Sequence, residues 1–147
     1  MDTKNRFHTK ETWFWTRAEN LAIMLALSVL VVMHAREVRW GRFIFAFLII
    51  DLIGYIPGAI AYRRKAGGKI SPMYYHAYNI THSLLTGGLA AALWALATGA
   101  PEWAMLAIPI HYLGDRGIFG NVYKPLELSF EPVEQDHMMA AASTETR

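Results

Sequence analysis

Two histidines and two aspartates stand inside otherwise apolar stretches of this 147-residue chain. His111 and Asp115 are four residues apart, so in a helix their side chains project from one face. Asp51 and His82 lie within two other apolar stretches. Because imidazole nitrogens and carboxylate oxygens bind divalent metals, these residue types predict a metal site or, without metal, a His–Asp pair that transfers protons.

The predicted metal ligands are His82, His111 and Asp115. Two histidines and one carboxylate leave a coordination position open for water, which a divalent metal would acidify into a nucleophile. The chain contains no cysteine, so a thiolate metal site, a thiol nucleophile and a disulfide framework are excluded. Zinc, iron and manganese are the candidate metals.

Three further residues are candidates for catalysis. Asp51 and His76 are each assigned as a further ligand or a base. Ser83 shares a polar stripe with His76 and Asn79 on the third apolar stretch, since these residues fall close together at 100° per residue.

Four apolar stretches must position these side chains. They cover residues 21–35 (extended back to residue 13 by an aromatic segment), 40–62, 74–97 and 103–119. Each approaches the roughly 20 residues that a helix needs to span a bilayer. A soluble four-helix bundle is the rival, but residues 43–50 and 90–97 carry no charge. The sequence therefore predicts an all-α, polytopic membrane protein with four transmembrane helices in a bundle.

Glycine and proline spacing predicts how the helices pack. Gly54 and Gly58 form a GxxxG pair with Pro57 between them, which indicates close packing and a kink. Gly114 and Gly117, followed by a third glycine at position 120, indicate packing or a loosened helix end. Phosphate binding is less well supported, because no strand precedes them.

Three segments follow from composition. Residues 1–20 are a charged and aromatic interfacial segment, residues 21–123 form the transmembrane domain, and residues 124–147 are acidic and polar, as expected of a disordered cytoplasmic tail. Lys and Arg residues set the orientation, since cytoplasmic connections carry the excess. Eleven of the fourteen flank one side, and only Arg36, Arg39 and Arg42 flank the other. Both termini are therefore predicted to be cytoplasmic.

This orientation allows depths to be compared between helices at 1.5 Å per residue. His82 and His111 each come out roughly 12 Å from the cytoplasmic end of their stretch, Asp115 roughly 6 Å and Asp51 roughly 16 Å. Four polar residues are thus predicted to reach one layer. Ionisable residues at such depth face a bundle interior, where they pair or serve a function.

Structural interpretations compete with this functional one. Asp115 beside Arg116 is also the pattern of an ion pair that reaches the membrane interface, and His111 that of a hydrogen-bonded packing residue. A purely structural Asp51 is costly, because a carboxylate at the bilayer centre costs roughly 2.5–3.5 kcal/mol on the insertion scale.

The segment Thr81-His82-Ser83, together with His111 and Asp115, resembles the bacterial membrane-bound metal-dependent hydrolases. That resemblance covers about forty residues and implies that His82, His111 and Asp115 bind metal, with His76 and Asp51 near further family motifs. Residues 51–58 and 111–125 also resemble small uncharacterised bacterial membrane proteins with a His-x-x-x-Asp-Arg signature. These resemblances imply a multi-pass protein of the bacterial inner membrane.

The leading hypothesis is a metal-dependent hydrolase acting on a lipid or another membrane-soluble substrate. The alternatives are a proton or small-solute carrier in which the same residues form a relay, and a non-catalytic membrane subunit or scaffold. The expected partners are the lipid bilayer, a membrane-soluble small molecule, and a second copy or another membrane protein. Nucleic acid is not expected, because the basic residues flank apolar spans and the net charge is only +2.

Overall fold

The computed structural model describes residues 9–131. Within that range the chain is all-helical and contains no strand. The helices are α1 (Lys10–Met33), α2 (Trp40–Gly54), α3 (Ile56–Arg64), α4 (Pro72–Thr81), α5 (Leu84–Thr98) and α6 (Ala107–Gly114), with a 3-10 turn at Trp103–Leu106 before α6 and a π-helical turn at Asp115–Phe119 after it.

Two helical segments are long and apolar enough to cross a membrane, namely α1 and the combined α2–α3 segment Trp40–Arg64. The pair α4 and α5 gives a third if the two helices form one broken span. The predicted fourth span at residues 103–119 is divided among 3-10, α and π pieces and does not reach that length as one helix. The prediction of an all-helical chain is confirmed, and two or three of its helical segments could cross a membrane by their length and composition.

The break between α2 and α3 follows from Pro57. Proline has no backbone N–H, so the carbonyl of Ile53 loses its usual helical partner and the helix is interrupted at Tyr55. The chain continues through hydrogen bonds from Tyr55 N to Asp51 O and from Ala59 N to Tyr55 O, both 2.9 Å. A span interrupted near Pro57 agrees with the sequence pattern.

The break between α4 and α5 turns the chain by 56° at residues 82 and 83. Ser83 begins α5 as its N-cap, with its hydroxyl oxygen accepting a hydrogen bond from Leu85 N at 3.2 Å. His82 is therefore the C-cap that follows α4 rather than an interior residue of a long helix. This position lets its side chain fold back against α4.

Helix α6 packs against α1, α2 and α5, while α4 lies beside α2. Its buried face joins Ala46 and Ile50 of α2 in one apolar cluster. The ring of Tyr112 packs directly against Gly87 of α5, which has no side chain. A Cβ at that position would lie 2.8 Å from the Tyr112 hydroxyl oxygen. Gly117 similarly lies against the backbone of Leu21 in α1, which confirms the predicted glycine packing.

The structure departs from the expectation of a disordered tail at residues 124–131. Phe130 is fully buried against Gly58, Tyr75 and Tyr78. The Tyr75 hydroxyl donates to the Leu128 carbonyl at 3.0 Å. Aromatic burial and hydrogen bonds to the backbone hold this segment in place despite its acidic composition. The remainder of the predicted tail, like residues 1–8, lies outside the described residues.

Candidate metal centre

His82 is held with one nitrogen facing its own helix and the other facing the bundle. Its Nδ1 lies 3.0 Å from the carbonyl oxygen of Tyr78 and 3.0 Å from the hydroxyl of Thr81. Because a carbonyl only accepts, Nδ1 carries the proton and donates it. Nε2 is then left with a free lone pair, the form in which imidazole binds a metal. The side chain is 2% exposed.

Two neighbours fix the orientation of this imidazole further. The ring of Tyr78 stacks on it at a centroid distance of 3.9 Å and an angle of 15°. Gly54 of α2 leaves room on the other side, since a Cβ at that position would lie 3.1 Å from the ring and would collide with the Thr81 hydroxyl. The GxxxG glycine therefore serves the close approach of α2 to the end of α4.

His111 lies opposite His82 on α6, and the two ring centroids are 5.4 Å apart. The ring of Phe47 packs against the His111 imidazole, with the two ring centroids 4.7 Å apart. The side chain is 3% exposed, yet neither ring nitrogen has a hydrogen-bond partner among the described residues. A buried imidazole normally satisfies its nitrogens, so His111 has the capacity to bind a further ligand.

The carboxylates of Asp51 and Asp115 approach the same two nitrogens. One oxygen of Asp51 lies 3.2 Å from Nε2 of His82 and 3.6 Å from Nε2 of His111. One oxygen of Asp115 lies 3.4 Å and 3.6 Å from the same atoms. The Asp51 side chain is 41% exposed and that of Asp115 only 20%. Asp51 is therefore the more accessible carboxylate of this cluster.

The described part of the chain contains one group that could hold a metal ion, formed by Asp51, His82 and His111, whose ligand atoms all lie within 4.8 Å of one another. Zinc bonds to nitrogen and oxygen of about 2.1 Å place neighbouring ligands of a tetrahedral site about 3.4 Å apart. The observed nitrogen–oxygen separations of 3.2–3.6 Å match that spacing. The donor set of imidazoles and carboxylates suits a divalent transition metal.

The backbone contact of His82 strengthens this agreement. Histidines that bind metals generally donate their other N–H to a carbonyl or carboxylate, which fixes the tautomer. The Nδ1 contact of His82 with the Tyr78 carbonyl has this form. Without a cation or a proton between them, the Nε2 lone pair would face carboxylate oxygens that are also acceptors. A metal cation bound between these atoms, or a proton on Nε2, would remove this repulsion.

The predicted layer of polar residues is confirmed for Asp51, His82 and His111, which lie close together and could bind a metal. Asp115 contacts both histidines of this group. Asp51 was predicted as a further ligand or a base, and it belongs to the group that could bind a metal.

His76 and Ser83 stand apart from this group. His76 is exposed on α4. The Ser83 hydroxyl caps α5 through Leu85 N, so its oxygen is engaged in helix initiation. Neither residue belongs to the group of possible ligands in the described chain.

Sequence reasoning missed the residues that support the histidines. Tyr78 contributes its carbonyl and ring to His82, and Phe47 lies against His111. The Tyr78 contact has a sequence signal, because the side chain of a histidine at a helix C-terminus can reach the backbone carbonyl four residues before it. The Phe47 contact connects two helices, and no local pattern predicts it.

The C-terminal segment, residues 124–131, contacts α4 through the side chain of Asn79. Its side-chain amide donates to the Lys124 carbonyl at 3.0 Å and its oxygen accepts from Lys124 N at 2.7 Å. The Lys124 ammonium then lies 4.9 Å from the centre of the Tyr78 ring, which itself stacks on His82. Burial lowers the pKa of Lys124. Residues 124–131 are therefore packed onto the helix that carries His82.

No family model, no curated protein and no solved structure matches this chain. The function is therefore argued from the geometry of the site.

Proposed function

We propose that this chain is an integral membrane protein with an intramembrane divalent-metal centre that hydrolyses a membrane-soluble substrate. The observation that supports this most strongly is His111, which is buried without a hydrogen bond at either ring nitrogen and has Nε2 3.6 Å from the carboxylates of Asp51 and Asp115. Four ionisable side chains in an apolar bundle are costly unless they have a shared ligand or function.

The proposal includes four membrane spans with both termini in the cytoplasm. The fourth span consists of the 3-10 turn, α6 and the π-helical turn. Support comes from the central position of α6, which packs against α1, α2 and α5, and from complete burial of Ala104 and Ala107. The excess of Lys and Arg at one side of the predicted spans supports the orientation.

In this proposal His82, His111 and Asp51 hold the metal. The ion would acidify a water molecule at the coordination position that three protein ligands leave open. Asp115 lies within 3.4 Å of His82 Nε2 and is less exposed than Asp51. We assign Asp115 as the group that accepts the proton, and the Tyr78 carbonyl as the group that orients His82.

The location favours a membrane-soluble substrate. The cluster lies between α2, α4 and α6, and α2 carries exposed apolar side chains, among them Leu48, Leu52 and Ile53. Asp51 is the point at which the cluster is accessible. A substrate that partitions into lipid would reach it without crossing a polar domain.

Metal analysis of the purified protein tests the centre directly. The wild type should retain about one zinc, iron or manganese ion per chain after exchange against a weak chelator, as a single three-ligand site requires. A His82→Ala, His111→Ala double variant that retained as much metal would refute the proposal.

A proton relay is the second candidate function, favoured by the direct His82–Asp51 contact of 3.2 Å, which can share a proton without any metal. In that case a pH gradient across proteoliposomes should drive a flux that Asp51→Asn abolishes. A metal-free protein with such a flux would favour the relay, and a metal-loaded protein with no flux at any pH would exclude it.

A further inference from the structure

An apolar groove of about 440 Å³ runs between α2 and α5, both of which pack on α6. Phe45, Ile49 and Ile53 line its α2 wall, and Ala90 and Trp94 line its α5 wall. These residues recur every fourth position on each helix, so the groove follows the two helix axes. It is distinct from the His–Asp cluster, whose side chains do not line it.

The length and lining of the groove suit an extended hydrocarbon chain. Along α2 it reaches from Arg42 to Ile53, which corresponds to roughly 16 Å. A hydrocarbon chain is narrow enough to lie within this space.

One end of the groove carries excess positive charge. Arg42 lines it there, and both Arg42 and Arg39 bind the same carboxylate oxygen of Glu102. The two arginine side chains are 46% and 62% exposed, so each retains guanidinium N–H groups that can bind a further acceptor. The ion pair of two arginines with one carboxylate leaves a net charge of +1.

The opposite end of the groove is formed by Thr81 and Tyr112, which hydrogen-bond to each other through the Tyr112 hydroxyl and the Thr81 carbonyl at 2.7 Å. The groove thus has a cationic end at Arg39 and Arg42, at the start of α2, and an apolar length that extends along α2 to Ile53. An anionic lipid has the same arrangement, with a phosphate at the membrane interface and an acyl chain directed inward.

We propose that the groove between α2 and α5 binds one anionic phospholipid, with its phosphate at Arg39 and Arg42 and one acyl chain along Ile49, Ala90 and Trp94. This site does not depend on the metal centre. Guanidinium groups bind phosphate oxygens in bidentate geometry, which gives the headgroup preference, and the apolar walls accept the chain.

Photolabelling in bilayers tests the site. The full chain is reconstituted in phosphatidylcholine vesicles containing a small fraction of phosphatidylglycerol that carries a diazirine in one acyl chain. Labelled peptides should map to the groove walls of α2 and α5, and unlabelled phosphatidylglycerol should compete better than phosphatidylcholine. Ala90→Phe, which fills the groove, should abolish groove labelling. Ala92→Phe places the same ring on an exposed position of α5 outside the groove and should not.

The headgroup is tested separately. Arg42→Gln should weaken competition by phosphatidylglycerol about fivefold, because one basic residue near a membrane surface contributes on that order. Arg64→Gln removes an exposed charge at the end of α3 and should have no effect.

Ala90→Leu serves as a smaller filling substitution if Ala90→Phe does not fold.

Labelling spread evenly over the lipid-facing helices would overturn the proposal, as would equal competition by the two lipids. Cross-linked dimers joined through groove residues would overturn it as well, since they would identify a second copy as the occupant. Labelling that persisted in His82→Ala would agree with a site independent of the metal centre, and its loss would contradict that independence.

Discussion

Nε2 of His82 lies 3.2 Å from a carboxylate oxygen of Asp51, although the two residues are 31 positions apart in the chain. The contact joins the end of α4 to the last turn of α2, two helices that are packed closely. Because His82 Nδ1 already donates to the Tyr78 carbonyl, this second nitrogen is free to bind a cation that Asp51 also binds.

His82→Ala should abolish metal binding. Loss of a residue that only hydrogen-bonds to a metal ligand typically costs roughly 10–100-fold in metal affinity, and loss of the ligand itself should cost more. The measurement is metal content and affinity of the purified protein in detergent. His76→Ala is the matched control, since His76 lies exposed on the same helix. If both variants lost metal equally, a specific site at His82 would be contradicted.

Asp115→Asn should separate metal binding from catalysis. The amide cannot accept the proton, so turnover of a long-chain fluorogenic ester in micelles should fall by roughly 100-fold or more. Metal content should stay close to that of the wild type, whereas Asp51→Asn should lose metal. The reverse outcome, with metal lost only in Asp115→Asn, would exchange the roles of the two carboxylates.

Gly54→Ala should destabilise the protein by about 1–3 kcal/mol, the range for an overpacked contact. The added Cβ would collide with the Thr81 hydroxyl and lie 3.1 Å from the His82 ring. Gly41→Ala is the control on the same helix, because a Cβ there meets nothing within 4 Å. Thermal unfolding in detergent measures both. An unchanged midpoint for Gly54→Ala would show that α2 and α4 are less closely packed than described.

Phe130→Ala should cost about 3–5 kcal/mol, as expected for removing a fully buried aromatic side chain. The same change should increase proteolysis near residue 128, since Phe130 anchors this segment against Tyr75 and Tyr78. Phe14→Ala is the control, because Phe14 is 62% exposed on α1. Equal effects of the two substitutions would argue against a packed C-terminal segment.

The proximity of Asp51, His82 and His111 could be predicted from the constant rise of a helix and from the alternating direction assigned to the predicted spans. The same counting could not predict that the helix breaks at His82, which depends on the Ser83 cap at the start of α5. That break also separates Ser83 from His76 and Asn79, with which the predicted stripe had placed it. A helical stripe predicts shared faces only within one continuous helix.

The packed segment at residues 124–131 could not be predicted for a different reason. Its acidic composition is typical of solvated chain, and Phe130 is a single apolar side chain without periodicity. The contacts that hold it come from Asn79, Tyr75 and Tyr62 on other helices. Such long-range hydrogen bonds leave no local pattern in the segment itself.

The most direct measurement is the metal content of the purified wild-type protein beside that of a His82→Ala, His111→Ala double variant. Both are exchanged against a weak chelator in detergent before analysis. The proposed centre predicts about one zinc, iron or manganese ion per wild-type chain and none in the double variant. A wild-type protein without bound metal after supplementation with each of the three ions would contradict it.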